Sequence, residues 1–369
     1  MQFIKLEGNT PYETGIIHGK LLKDEIDRLI NSVQEQFKKK YGKFSFNLFK
    51  NFLLLYSTYT HKYIPKRYIL EMEGIANGSN QPFKWILLTN KIYDIGIHFS
   101  RFINWNNCSA FISNYKNTNY TILAKTTDVP ITLASILYKN RVCFIYKTQW
   151  INKNYLTLSF PGCISGDSFI LEDGSFIGFN GGGTFFKKSN MKNLPFFIYT
   201  KECIYKMDNI NNLDKILKNT MPTRPYICFA SKGLKRNTFL IETANGNNYK
   251  RKFEHNLIIT NHFKNSDMIK KIYKKNHKKN KYYIGSKMRY INLEKNMSKS
   301  LNLKKSINLL ELHENTFGIN KGSIANKQTA HGLIYYPKRK ILYIPKKDKI
   351  TVTYKNVWEK YYLDNLFSL

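Results

Sequence analysis

Asn107-Cys108-Ser109-Ala110-Phe111-Ile112-Ser113-Asn114, then Lys116-Asn117-Thr118-Asn119, then Tyr120-Thr121-Ile122-Leu123-Ala124-Lys125-Thr126-Thr127: at this stretch the chain changes character. Its two flanks are short runs rich in β-prone residues, and its middle is a turn, so it reads as a hairpin. Upstream the pattern is helical. Thr10-Pro11-Tyr12-Glu13 forms a capping box with Pro at the first helical position. Leu22, Ile26, Leu29, Ile30, Val33 and Phe37 follow at helical spacing, which predicts one helix ending at Gly42. Further helices are predicted over 47–63, 68–76 (closed by Gly78) and 82–97. Downstream, strands are predicted over 141–146, 155–160, 175–179, 238–242, 257–260, 332–336 and 340–344. Helices are predicted over 194–217, 284–301 and 306–312. Helices first, then strands with helices between, is the pattern of an α+β fold with an antiparallel or mixed sheet. The natural division is a helical segment 1–107 and a strand-bearing region 108–369.

Composition narrows the class. The chain has 369 residues, 42% of them hydrophobic, enough for a real core. It carries 59 Lys and Arg against 25 Asp and Glu, a formal charge of +34. A basic balance favours anionic partners. The densest run, residues 264–281 with eight lysines, reads as a solvated loop or helix face. Interleaved aromatic stacking motifs and a DNA-reading helix are missing, so no specific nucleic acid is expected. No stretch approaches the ~18 apolar residues of a membrane span. Met1 to Asn9 lacks a basic region followed by an apolar run, and a cytoplasmic location is expected. Cys108, Cys143, Cys163, Cys203 and Cys228 are odd in number and widely spaced, which argues against disulfides or a zinc knuckle. The histidines form no HExxH or comparable ligand pair, so no metal is expected. GxxxxGK[ST] is absent, and the Gly-rich residues 178–183 read as a tight strand turn, so no cofactor is expected.

Taken alone, Cys108 reads more readily as a buried core residue than as a nucleophile. An ordered set of motifs changes that reading. It comprises Gly15-Ile16-Ile17-His18-Gly19, Glu71-Met72-Glu73-Gly74-Ile75-Ala76-Asn77-Gly78 and Asn107-Cys108-Ser109-Ala110-Phe111. It continues with Leu123 to Val129, Phe160-Pro161-Gly162, Gly178-Phe179-Asn180, Thr260-Asn261-His262-Phe263 and Ser286-Lys287-Met288-Arg289. In order and spacing, nearly end to end, the chain resembles the acyl-coenzyme A:6-aminopenicillanic acid acyltransferase family, the C45 peptidase-like group of N-terminal-nucleophile hydrolases. It departs from that pattern at Lys125 (commonly Arg), Thr126 (commonly Asn) and Val129 (commonly Trp).

The resemblance implies an αββα sandwich, preceded by the helical segment, and self-cleavage between Asn107 and Cys108. Cys108 would be the nucleophile. Its freed α-amine, with an ordinary pKa of ~7.7–8, would be the general base. Asp128 would orient the α-ammonium, Asn261 would donate to the oxyanion, and Arg289 would orient Asp128 or bind a substrate carboxylate. The implied activity is that of an amidohydrolase or acyltransferase acting through an acyl-enzyme on a small N-acylated amine or amino-acid-like substrate. Acyl-coenzyme A is a candidate co-substrate. The competing reading is a catalytically lapsed member of the fold that binds an anionic surface or nucleic acid through its basic face.

Overall fold

The computed structural model describes residues 1–99, 108–183, 186–187, 189–312, 322–346 and 357–369. Two sheets lie face to face. The first takes, in spatial order, β1 (Phe3–Leu6), β4 (Val142–Tyr146), β5 (Tyr155–Ser159), β6 (Ser168–Leu171), β7 (Phe176–Gly181), β8 (Tyr226–Ser231), β9 (Thr238–Ala244) and β10 (Asn247–Lys252). The second takes β11 (Asn256–Ile259), β2 (Ser109–Tyr115), β3 (Thr121–Asp128), β13 (Thr329–Tyr336), β14 (Ile341–Pro345) and β15 (Trp358–Tyr362), with the two-residue β12 (Ser300–Leu301) beside β2. Pairing is antiparallel throughout except where β1 joins β4 and β12 joins β2.

Side-chain alternation along the strands builds three cores. On β4, Cys143 and Ile145 point between the sheets, where they meet Ala110, Ile112 and Leu123 of the facing hairpin. Val142, Phe144 and Tyr146 point the other way. They pack under α2 (Lys23–Tyr41), α4 (Lys66–Ser79), α5 (Phe83–Phe99), α7 (Phe196–Lys206) and α8 (Leu213–Asn219). On the far side of the second sheet, Phe111, Ile122 and Ala124 pack under α10 (Lys281–Asn296) and α11 (Leu303–Leu310). The result is the four-layer αββα sandwich that the motifs imply. At its margins lie α1 (Pro11–Leu21), α3 (Lys43–Tyr59), α6 (Ile131–Asn140), α9 (Ser266–Ile272) and α12 (Leu363–Ser368).

Several local expectations change. The helix read over 10–42 is two helices, because Leu22 leaves the helical region at φ −123° and ψ 25° and its buried side chain enters the core. The helix read over 194–217 is likewise divided into α7 and α8. The lysine-rich run holds the short helix α9. The leading segment is also not purely helical: β1, too short to show a period, is an edge strand of the first sheet, with Phe3 opposite Cys143 and Leu6 opposite Tyr146.

The two glycine pairs of the N-terminal motifs share one cause. Gly15 and Gly19 on α1 face Gly74 and Gly78 on α4. A Cβ at Gly15 would stand 2.0 Å from the Glu71 carbonyl oxygen, and one at Gly74 2.1 Å from that of Tyr12. The helices therefore cross backbone against backbone, and no larger residue fits without separating them. Gly15→Ala and Gly74→Ala are each expected to destabilise the protein by about 1–3 kcal/mol through overpacking. The check is the urea midpoint of unfolding; a change of less than about 0.5 kcal/mol would show that the helices move apart freely.

Candidate active site

The β2–β3 hairpin sets the site. Its register pairs Ser109 with Thr126, so Cys108 stands at the mouth of the hairpin beside Thr127 and Asp128. Alternation then divides the neighbours. Ala110 and Leu123 face the first sheet, and Lys125 and Thr127 belong to the row of Leu123. Ser109 faces α10, where its hydroxyl accepts from Arg289 Nε at 3.1 Å.

Cys108 is buried, and burial raises its pKa; Lys125 opposes that rise, while Asp167 and Asp128 add to it. A backbone hydrogen bond from Asp128 favours the thiolate. Asp128, the last residue of β3, accepts from Thr329 Oγ1 at 2.7 Å and Asn326 Nδ2 at 3.1 Å. Burial nonetheless lifts its pKa to about 6 against the pull of Arg289, those two hydrogen bonds and Lys125. Such a carboxylate is a better proton acceptor than an ordinary one and is still mostly ionised at neutral pH.

Asn261 and Arg289 are brought together but stand apart from the cavity wall. Arg289 donates to Asn261 Oδ1 at 2.6 Å, and Asn261 Nδ2 donates to the Gly181 carbonyl at 3.0 Å. Ser286, on the same helix as Arg289, accepts from the Asn261 backbone N–H at 2.7 Å. One hydrogen of the Asn261 amide is thereby committed to Gly181, which does line the cavity. Asn107 lies outside the described residues.

Four further polar residues, Lys125, Thr127, Asp167 and His331, gather near Cys108, and spacing alone does not reveal them. Lys125 Nζ bonds Asp167 Oδ2 at 2.6 Å and Thr127 Oγ1 at 2.5 Å, and Thr127 also donates to Asp167. His331 on β13, opposite Thr127 in the register, places Nε2 3.8 Å from Asp167 Oδ1. Burial lowers the His331 pKa to about 4, despite Asp167, so its imidazole is neutral at pH 7. Burial pushes Asp167 up, but Lys125 and His331 outweigh it and hold the carboxyl below its usual range. Asp167 precedes β6 of the first sheet while Lys125 belongs to the second, so this ion pair clamps the two sheets together at the site.

The loop 160–166 closes one side of the site, and N-terminal helices hold it. Gly162, at φ +83°, donates its N–H to His18 Nε2 at 3.0 Å. Asn90 donates to the Gly162 carbonyl at 2.8 Å and accepts from the Ile164 N–H at 2.9 Å. The Ile164 carbonyl accepts from Tyr146 and from Lys201, whose ammonium is buried against Glu71 at 2.5 and 2.6 Å. This loop presents Cys163 to the cavity, with a pKa raised to about 12 by burial alone.

The cavity, about 170 Å³, has Cys108, Asp128, Asp167 and His331 at its polar end. The rest of its wall is mostly apolar and also includes Gln34 on α2 and Lys50 on α3. Among the described residues no His, Cys, Asp and Glu cluster suits a metal ion.

No protein-family profile matches the sequence, and no curated protein sequence matches it. Among solved structures, the chain is similar to the Caenorhabditis elegans ortholog of N-acylethanolamine-hydrolyzing acid amidase, with a TM-score of 0.44 and 11% identity over 62% of this chain and 93% of that one. It is similar to penicillin V acylase from Agrobacterium tumefaciens at a TM-score of 0.42 and 10% identity, over 68% and 85% of the two chains. It is similar to a mutant of conjugated bile acid hydrolase from Clostridium perfringens at a TM-score of 0.41 and 10% identity, over 69% and 96%.

Proposed function

We propose that the chain is a cysteine-nucleophile amide hydrolase or acyltransferase that carries its acyl-enzyme on Cys108. One observation supports this above the others. A thiol at the head of a central strand stands where a buried set of charges meets an apolar cavity. A core cysteine needs none of those charges, and burying them is costly unless they serve a purpose.

In the uncut chain the thiol is protonated, because burial and two carboxylates outweigh Lys125. Asp128 accepts its proton. The sulfur attacks the Asn107 carbonyl, the peptide C–N bond breaks, and the nitrogen leaves as the α-amine of Cys108. Water then hydrolyses the thioester and releases the Asn107 carboxylate. In turnover the freed amine takes the thiol proton and the thiolate attacks the substrate amide carbonyl. Asn261 Nδ2 carries two hydrogens; one goes to the carbonyl of Gly181, which lines the cavity, and the other is assigned on this reading to the oxyanion. Arg289 acts on Asp128 through space and holds the Asn261 amide by its oxygen. Its burial behind the wall favours this role over binding a substrate carboxylate. The acyl group lies in the apolar cavity, and the amine leaves with the proton from the α-ammonium. Water or a second amine completes the cycle, with acyl-coenzyme A as a candidate acyl donor.

The cut depends on ionised Asp128, so its rate in freshly purified chain should rise as pH climbs through about 6 and level off above. Denaturing gels should resolve two pieces, while Cys108→Ala and Asp128→Asn stay whole. Full amidase activity in an uncut parental chain would defeat the free-amine mechanism.

Asn261→Ala should lower kcat by about a hundredfold or more at an unchanged melting temperature. A folded variant within a few-fold of the parent would move the oxyanion role to a backbone N–H. In the processed protein, an alkylating probe bearing an alkyl chain should modify Cys108 ahead of Cys163, whose thiol is held at about 12. Mass spectrometry of the peptides reads the order.

A further inference from the structure

Among the described residues, one buried side-chain atom on the cavity wall lacks a hydrogen-bond partner: Nδ1 of His331. The residue is 2% exposed, so bulk solvent does not serve it. Its polar neighbours on the wall are bonded. Thr127 donates to Asp167, Ser159 donates to the Ser165 carbonyl, and Asp128 accepts from Thr329 and Asn326. A buried polar atom left unpaired is costly, and in a native fold such an exception calls for a reason.

The strands hold the ring at that wall. His331 shares the row of Leu333 and Tyr335, which face the first sheet. Beside it the register of β13 shifts, with Ala330 as the extra residue, so that Thr329 stands opposite Asp128 and His331 opposite Thr127. Bulges of this kind recur beside active sites, where they re-aim side chains. Here the bulge lets Thr329 hold Asp128 while His331 keeps its place on the cavity wall.

The surrounding charges fix the tautomer. A neutral imidazole has one N–H and one lone pair. The charged groups that act on this one are Asp167, Lys125 and Arg141. The Asp167 carboxylate, held below its usual pKa range, lies 3.8 Å from Nε2. It favours a hydrogen on Nε2 and repels a lone pair there, while the two cations oppose a second proton on the ring. Nδ1 therefore keeps its lone pair, and the ring brings an acceptor to the polar end of the cavity.

An unpaired acceptor there calls for an N–H on the ligand. A secondary amide carries one on the atom bonded to the carbonyl that Cys108 attacks. An ester or thioester of the same acyl group carries a lone pair in that position and leaves Nδ1 unpaired. A site built to hydrogen-bond a substrate N–H rejects the analogue that lacks it. We infer that His331 is a specificity-determining residue whose Nδ1 accepts the N–H of the scissile amide, so that N–H amides are selected over esters and thioesters, acyl-coenzyme A included. This selection rests on the reading of Cys108 as nucleophile.

The test uses two substrates with one acyl group, N-hexanoyl-para-nitroaniline and para-nitrophenyl hexanoate. Both are given to the parental protein, His331→Leu and His331→Asn, and rates are taken above those of Cys108→Ala. His331→Leu should lose about tenfold or more in kcat/KM on the anilide and change by less than about twofold on the ester. His331→Asn, whose Oδ1 can stand near the place of Nδ1, should recover part of the anilide rate and leave the ester rate alone. Equal losses on both substrates would give Nδ1 to the α-ammonium of Cys108 or to packing, and the selection would be overturned. A parent that cleaves the ester but not the anilide would overturn it as well. A Cys108→Ala protein with parental rates would instead reject Cys108 as nucleophile, and the selection would fall with it. If His331→Leu does not fold, nitrogen NMR of histidine-labelled parental protein decides. The His331 ring should carry its hydrogen on Nε2 near neutral pH, and a hydrogen found on Nδ1 would overturn the proposal.

Discussion

The backbone-to-backbone crossing of α1 and α4 is the constraint from which the site is built. It exists because Gly15, Gly19, Gly74 and Gly78 have no side chains to hold the helices apart. The crossing leaves His18 and Glu71 at fixed heights over the first sheet. His18 then takes the Gly162 N–H, and Glu71 holds the Lys201 ammonium against the Ile164 carbonyl. Two residues of a loop with no periodic hydrogen bonding of its own are thereby fixed from the N-terminal helices, with Asn90 as a third anchor. Removing one partner of a buried ion pair such as Lys201–Glu71 leaves an uncompensated charge and costs about 3–5 kcal/mol, so this scaffold does not loosen gradually. The cavity wall next to Cys108 inherits that rigidity.

On the other side of the thiol, the fold balances charges. Lys125 lowers the thiol pKa, whereas Asp167 and Asp128 raise it. Because Lys125 is bonded to Asp167, its help to the thiolate is partly diverted to its neighbour. Asp128 is the carboxylate left with a raised pKa, about 6, because burial outweighs the neutral hydrogen-bond donors and the cationic neighbour Arg289 that act on it. Two carboxylates at one thiol thus take different tasks, one holding sheets together and one near neutral titration.

Much of this was legible in the sequence, for reasons that differ by residue. The hairpin is local, so its turn chemistry and alternation reveal it, and with it the closeness of Cys108 and Asp128. Asn261 and Arg289 sit in separate motifs, and only the ordered resemblance joined them; the fold bonds them directly. Lys125 stood out only as a departure from the family pattern. Asp167 and His331 carried no signal, because they reach the site through sheet stacking and strand pairing across long stretches of chain. The break at Leu22 was hidden by a helical period that continues across it. Strand β1 was too short for any period, and its partner lies far along the chain.

That last pairing bears on the order of assembly. Phe3 to Leu6 belong beside Cys143 to Tyr146, so during synthesis β1 lacks its neighbour until roughly 140 more residues have been joined. At ordinary elongation rates of about 5–20 residues per second, the wait is on the order of ten seconds. Through it, β1 is an unpaired edge and α1 to α5 lack the sheet they cover. Non-local pairings of this kind are slow to form. β1 therefore cannot join the sheet before β4 has been made, so the N-terminal edge of the first sheet is a late, non-local pairing for the residues that form it.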